Sequence, residues 1–241
     1  MGSLPTRFWV TTGVGIHPEH QINAYDQALY MAGISEQNII AVSSVPPPVM
    51  IKPNIINGRS YVPAPESDVK SRFPTTRLPR EKGTFFTLGN SWCINVVLAR
   101  SDGDEGGRVT SSIGLGWYKP NTPDETHGIY AVEDHGDNDY RLSLDNCQEM
   151  LDRMMEFRKV NPIQSPLSQH GKGEIISEEK IPLCDVTTLD QLQHSYARRI
   201  IWESATPLRQ IHTITIDSIP EGYVGTTIAV VVFDPFTEIH S

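Results

Sequence analysis

The sequence predicts an α+β fold in one domain, and three observations carry that reading. Strand-like segments stand before, between and after helical ones, without the strict alternation of a parallel α/β sheet. The run Ile228-Ala229-Val230-Val231-Val232-Phe233 is apolar without a break, the pattern of a strand covered on both faces. Leu144, Cys147, Met150, Leu151, Met154 and Met155 form one helical stripe, the pattern of core packing against a sheet. With 241 residues the chain can bury a sizeable core, so a single domain over 1–241 is expected, with insertions at about 51–82 and 161–209.

Each element has its own signal. Residues 7–12, Arg-Phe-Trp-Val-Thr-Thr, have strand composition, and Gly13-Val14-Gly15 is expected to end that strand in a tight or close-approach turn. A helix is expected over 19–31, with Ile22, Tyr25, Ala28 and Leu29 at helical spacing and Gly33 as its C-terminal cap. Residues 38–43 read as a short buried strand, stopped by Pro46-Pro47-Pro48. Five prolines and no period make 51–82 a surface excursion. Further strands are expected at 84–100, 108–118, 128–133, 211–216 and 226–233, with a helix at 143–158 and a connector at 161–173. Another helix is expected from Thr187 or Thr188, with Leu189, Leu192, Tyr196 and Ile200 as its apolar face.

Composition excludes several classes. No uninterrupted apolar run approaches the length of a membrane helix, and residues 1–12 lack the pattern of a signal peptide, so a cytoplasmic location away from the membrane is expected. Cys93, Cys147 and Cys184 are far apart and never in a C-x-x-C pair, which indicates neither a disulfide framework nor a zinc site, and no metal is expected. A formal charge of −9 argues against a nucleic-acid partner and is compatible with a cationic substrate. Gly13-Val14-Gly15 lacks the third glycine of a dinucleotide site, and His17 and His20 lack the partner set of a metal centre, so both read as structural.

One junction stands apart: a strand runs straight into Ser43-Ser44 and then Val45-Pro46-Pro47-Pro48, which fixes a hydroxyl pair between two stiff segments. By itself a Ser-Ser pair is a loop feature. Its surroundings resemble a known pattern: Thr12-Gly13-Val14-Gly15, then Ile22-Asn23-Ala24-Tyr25-Asp26-Gln27-Ala28-Leu29, Ala32-Gly33-Ile34 and Asn38-Ile39-Ile40-Ala41-Val42-Ser43-Ser44-Val45-Pro46-Pro47. Order and spacing together resemble the N-terminal half of the pyruvoyl-dependent arginine decarboxylases. Ser111-Ser112-Ile113-Gly114-Leu115-Gly116, Gly128-Ile129-Tyr130-Ala131-Val132-Glu133-Asp134-His135-Gly136 and the region 211–233 resemble that family's central and closing strands.

The resemblance implies an αββα sandwich, a homotrimer or a multiple of it, and a chain that cuts itself between Ser43 and Ser44. The Ser44 hydroxyl would attack the Ser43 carbonyl carbon to give an ester, and β-elimination would release the upstream chain. Hydrolysis of the resulting dehydroalanine yields ammonia and a covalent pyruvoyl group generated from Ser44, the implied cofactor. Asn38 matches the donor to the oxyanion of that cleavage and Glu133 the acid that returns a proton to the substrate Cα. Asp26 matches the carboxylate that receives a guanidinium, with Ile22 and Leu29 lining the aliphatic part of the pocket, although both leucine and isoleucine are equally plausible as core.

Two features depart from the pattern. The stretches 51–82 and 161–209 have no counterpart in compact members, and the glycine-to-glutamate spacing is one residue longer, which makes Asp134 the alternative to Glu133. Extended residues also put Asn38 about 20 Å from Ser44, so the two meet only through a bend or across a subunit boundary. Three readings stay open: decarboxylation of arginine to agmatine and CO2, the same chemistry on another amino acid, and an uncleaved structural or regulatory homologue.

Overall fold

The computed structural model describes residues 3–35, 38–42, 54–56, 59–61, 93–119, 128–164, 173–185 and 191–238. Along the chain these form β1 (Ser3–His17), α1 (Gln21–Met31), β2 (Asn38–Ala41), β3 (Asn54–Ile56), β4 (Arg59–Tyr61), β5 (Cys93–Gly103), β6 (Val109–Lys119) and β7 (Gly128–Gly136). There follow α2 (Tyr140–Arg158), β8 (Asn161–Pro162), β9 (Glu174–Cys184), β10 (Gln191–Ala205), β11 (Leu208–Ile216) and β12 (Val224–Glu238). The fold is mixed, as expected, with two helices and two large sheets among the described residues.

The first sheet has the order β1-β12-β5-β2, antiparallel except for the parallel pair of β2 and β5. The second has the order β7-β6-β11-β10-β9, with β8 against β6. Phe8, Val10, Val97, Ala99, Ala229, Val231 and Phe233 of the first sheet meet Ile113, Leu115, Trp117, Ile129 and Ala131 of the second in one buried core. Ile228, Val230 and Val232 point the other way, under Ala28 and Leu29 of α1 and its C-cap residue Ala32. The unbroken apolar run of β12 is therefore covered on both faces, as its sequence predicts. On the second sheet, Leu144, Cys147, Leu151 and Met155 of α2 pack on Tyr130, Val132 and Ile211, with Met150 and Met154 at the margin. Val14, Ile16, Ile181, Leu183, Ala197, Ile214 and Ile216 extend the apolar filling toward β9 and β10.

α1 lacks a capping bond from its own N-cap residue, His20. His17 instead fixes the turn into the helix: its Nδ1 accepts from the backbone N–H of Glu19 (3.1 Å) and of His20 (3.0 Å), the two residues before the first turn. The helix ends in a Schellman motif at Gly33, φ 78°, where the Ile34 N–H reaches Leu29 O and the Gly33 N–H reaches Tyr30 O. The cap predicted at Gly33 is present.

Three expectations are corrected. β1 does not turn at Gly13-Val14-Gly15 but runs through to His17, and the glycines serve close approach alone. A Cβ on Gly13 would lie 1.9 Å from Ala28 O and one on Gly15 2.0 Å from Ala24 O, so α1 rests directly on the strand backbone. β2 is no buried strand: it forms the edge of the sheet, with Ile40 47% exposed. The helix expected from Thr187 or Thr188 is the strand β10, because the four-residue spacing of Leu192, Tyr196 and Ile200 is also a multiple of two. Leu189 lies outside the described residues. Within the stretch 161–209 expected as an insertion, β9 and β10 supply two strands of the second sheet.

Candidate active site

The exposed face of α1 carries Asp26, and neighbours fix that face firmly. Gln27, one residue on, is buried; its Oε1 accepts from the Ile16 N–H (2.8 Å) and its Nε2 donates to Cys184 O (3.1 Å). Tyr25, one residue before, lies under the Arg100 guanidinium, 3.9 Å from the ring centroid. Arg100 is held by Asp102 through Nε (3.0 Å) and a terminal nitrogen (2.8 Å), and Asp102 also accepts from Thr226 Oγ1 (2.8 Å) and Gln21 Nε2 (3.1 Å). Burial raises the Tyr25 phenol pKa; Arg100 opposes that shift, and the charges of Asp102 and Asp26 add to it. Ile22, in the first turn, is 60% exposed, whereas Leu29, two turns further on the same face, is 8% exposed and packs into the helix–sheet core.

Asn38 opens β2, opposite Cys93, and is exposed. The strand continues straight to Ala41 opposite Val96, and the Val42 N–H donates to Val96 O at 2.8 Å. Asn38 and Val42 therefore occupy opposite ends of one extended segment. Ser43 and Ser44 follow Val42 and lie outside the described residues. The backbone is fixed up to the residue before Ser43, on a strand that is the edge of the sheet among the described residues.

β7 carries the remaining residues. Tyr130 and Val132 face α2, while Ile129 and Ala131 face the first sheet. Pairing with β6 runs without a register shift from Gly128 to Gly136, so Glu133 shares the face of Ala131, and Asp134 that of Val132. Asp134 bears this out: its Oδ2 accepts from Ser143 Oγ (2.6 Å) and its Oδ1 from Asn146 Nδ2 (3.0 Å), both on α2. Glu133 is half-buried, on the face of β7 that turns away from α2 toward the first sheet, where β7 packs on β5. Sequence reasoning left Asp134 as a competitor for the role of Glu133 and missed Ser143 and Asn146 altogether. Their three-residue spacing on the first turns of α2 was the available signal.

Asp26 and Glu133 lie on opposite sides of the first sheet within one chain. α1 covers one face of the first sheet and β7 lies beyond the other face, with Asn38 on the sheet edge.

Residues 7–55 match the family model described as pyruvoyl-dependent arginine decarboxylase (PvlArgDC). The match spans most of β1, all of α1 and β2, and the Ser43-Ser44 pair, so it contains Ile22, Asp26, Leu29 and Asn38 but not Glu133. No curated protein matches the chain. The decarboxylase match covers the stretch that ends at β2, the edge of the first sheet among the described residues. Among the described residues no group of His, Cys, Asp and Glu is placed to hold a metal ion, and no helix is long and apolar enough to cross a membrane.

Proposed function

We propose that this chain is a self-cleaving pyruvoyl-dependent decarboxylase that converts arginine to agmatine and CO2. The observation that carries the proposal is the decarboxylase match over 7–55, which holds the Ser43-Ser44 junction and Asp26 in one continuous segment. The fold reading that accompanies it is an αββα sandwich of the pyruvoyl-dependent decarboxylase type in one domain, supported by helix packing on the outer face of each sheet.

In this reading Ser44 Oγ attacks the Ser43 carbonyl carbon, and the pyruvoyl group left at Ser44 supplies an electron sink for cleavage of the Cα–carboxylate bond. The chain's own residues do the rest. Asp26, presented on a face that Gln27 and Tyr25 hold in place, receives the guanidinium through paired hydrogen bonds. Ile22 covers the aliphatic stem, and Leu29 closes the floor beneath it. The carboxylate leaves as CO2, and Glu133 delivers the proton that takes its place at Cα. Asn38 donates to the oxyanion formed during self-cleavage.

A homotrimer, or a multiple of it, is part of the proposal, because Asp26 and Glu133 lie on opposite sides of one sheet and a small substrate reaches both only at a junction between copies. Sheets pack about 10 Å apart, so the helix layer and the second sheet are more than one such spacing from each other. A cytoplasmic location completes the reading.

The test is the mass of the purified chain together with its product. Two fragments, one ending at Ser43 and one beginning with pyruvoyl, and agmatine from arginine are expected. An unbroken 26.9 kDa chain after prolonged incubation, with no amine released, would sink the proposal.

A further inference from the structure

The end of β7 is held from two layers at once. On the α2 side both carboxylate oxygens of Asp134 are taken, by Ser143 and Asn146. A serine has one proton to give, so with Ser143 donating to Asp134, Ser112 must donate to Ser143 (2.7 Å) and Thr213 to Ser112 (2.7 Å). Ser112, Ser143 and Thr213 are fully buried, and the directed chain Thr213–Ser112–Ser143–Asp134 ties β11, β6, α2 and β7 together. On the other side the Gly136 N–H donates to Ser101 Oγ of β5 (2.6 Å), and Ser101 donates in turn to Thr110 O (2.5 Å). Thr110 Oγ1 donates to Asn138 O (2.7 Å), which holds the chain just beyond the strand. Glu133 is the residue immediately before this clamp.

A carboxylate with both oxygens bonded and its face turned to a helix is a poor proton donor to a substrate. It is well suited to fixing its own strand. We infer that Asp134 is a positioning residue: by anchoring β7 to α2 it holds the backbone that aims Glu133 to the opposite side, toward β5. The inference rests on the decarboxylase reading and adds to it. Loss of the clamp lets the strand end shift, and a small displacement of an acid from its target lowers the rate of proton delivery without touching substrate affinity, because Asp134 does not meet the substrate.

The experiment compares wild type, Asp134→Asn, Ser143→Ala and Asn146→Ala as full chains. Expected for Asp134→Asn are normal self-cleavage, a kcat lower by about tenfold to a hundredfold and an unchanged KM for arginine. Backbone amide exchange, followed on the uncleaved Ser44→Ala chain so that it needs no active enzyme, should quicken over 133–138 and stay as it was in β12. Ser143→Ala and Asn146→Ala, each removing one of the two partners, should move both readouts less and in the same direction; should Asp134→Asn not fold, they decide the question. Wild-type kcat in the folded variants, or quickened exchange throughout the molecule, overturns the positioning role. A wild-type chain that releases no agmatine removes the decarboxylase reading itself, whereas agmatine from wild type with undiminished kcat in Asp134→Asn removes only the role of the clamp.

Discussion

Glu133 and Asp134 are adjacent carboxylates with opposite surroundings, because successive side chains of a strand point to opposite faces. One turns to a helix that saturates it and the other toward β5, so the proposed proton transfer is expected to fail in Glu133→Gln while self-cleavage persists. Losing a general acid lowers turnover on the order of a hundredfold or more, and steady-state kinetics with arginine measures it. Near-normal turnover would assign the transfer to Asp134 or to water. A second residue-scale consequence concerns His212. Its Nε2–H donates to Gln210 Oε1 (2.9 Å), and Gln210 Nε2 donates to the buried Glu203 (3.2 Å). Burial, with a smaller contribution from the Arg199 guanidinium, pushes the imidazole pKa down to about 3. An unfolded histidine titrates at about 6.5, so between these values only the unfolded chain takes up the proton. The stability associated with neutral His212 is complete above about pH 6.5 and is lost as the pH falls toward about 3. Urea unfolding at pH 7 and pH 5 should show a smaller drop in His212→Gln than in wild type, and equal drops would refute the assignment.

At the scale of elements, period decided what the sequence revealed. α1 and α2 were readable because their apolar residues recur at three and four, spacings that a strand does not favour together. β12 was readable because its run is apolar on both faces. β10 was misread because Leu192, Tyr196 and Ile200 are separated only by fours, which satisfies both periods, and nothing local says that β9 and β11 flank it. β2 looked buried because its residues are apolar, whereas exposure at a sheet edge depends on what pairs with it. Gly13 and Gly15 looked like a turn because the reason for a glycine can lie in a helix that only the fold brings overhead. That reason makes a prediction. Gly13→Ala or Gly15→Ala places a methyl against Ala28 O or Ala24 O, backbone atoms that cannot rotate away, so α1 must lift from β1. The expected cost is about 1–3 kcal/mol for either variant, read from chemical denaturation, with Gly106→Ala serving for contrast because no atom lies within 4 Å of its added carbon. At Gly106 the left-handed φ of 72° alone should be felt. Wild-type stability of Gly13→Ala would mean that the helix does not rest on the strand.

At the scale of the molecule, the residues that the sequence offers for the site do not form one place in the single chain, because they are spread over three layers. Asp26 stands on the outermost helix, Asn38 on the sheet edge, and Glu133 on the far sheet facing inward. No rearrangement of side chains brings the first and last together, since the first sheet with its core of Val97, Ala99, Ala229 and Val231 stands between them. The proposed assembly resolves this if the Asp26 of one copy faces the Glu133 of another. Asp26→Asn should then lose arginine decarboxylation while retaining self-cleavage, because cleavage needs no guanidinium, and citrulline should be a poor substrate for wild type. Asp26 is exposed in the single chain, so the penalty for leaving it without a cation, roughly 2–5 kcal/mol for a buried carboxylate, applies once a junction between copies covers it. Asp26→Asn and Glu133→Gln are each expected to be nearly inactive alone. Unfolded together and refolded as a mixture, they form assemblies in which some junctions receive the intact Asp26 from one variant and the intact Glu133 from the other. With equal amounts and random assortment in a closed ring, about a quarter of the junctions combine the two intact residues, so about a quarter of wild-type turnover should return. If each chain held its whole site, every site would carry one defect and mixing would restore nothing. Turnover that stays at the level of the separate variants, while native mass spectrometry with one variant isotopically labelled shows mixed assemblies, would remove the shared-site proposal.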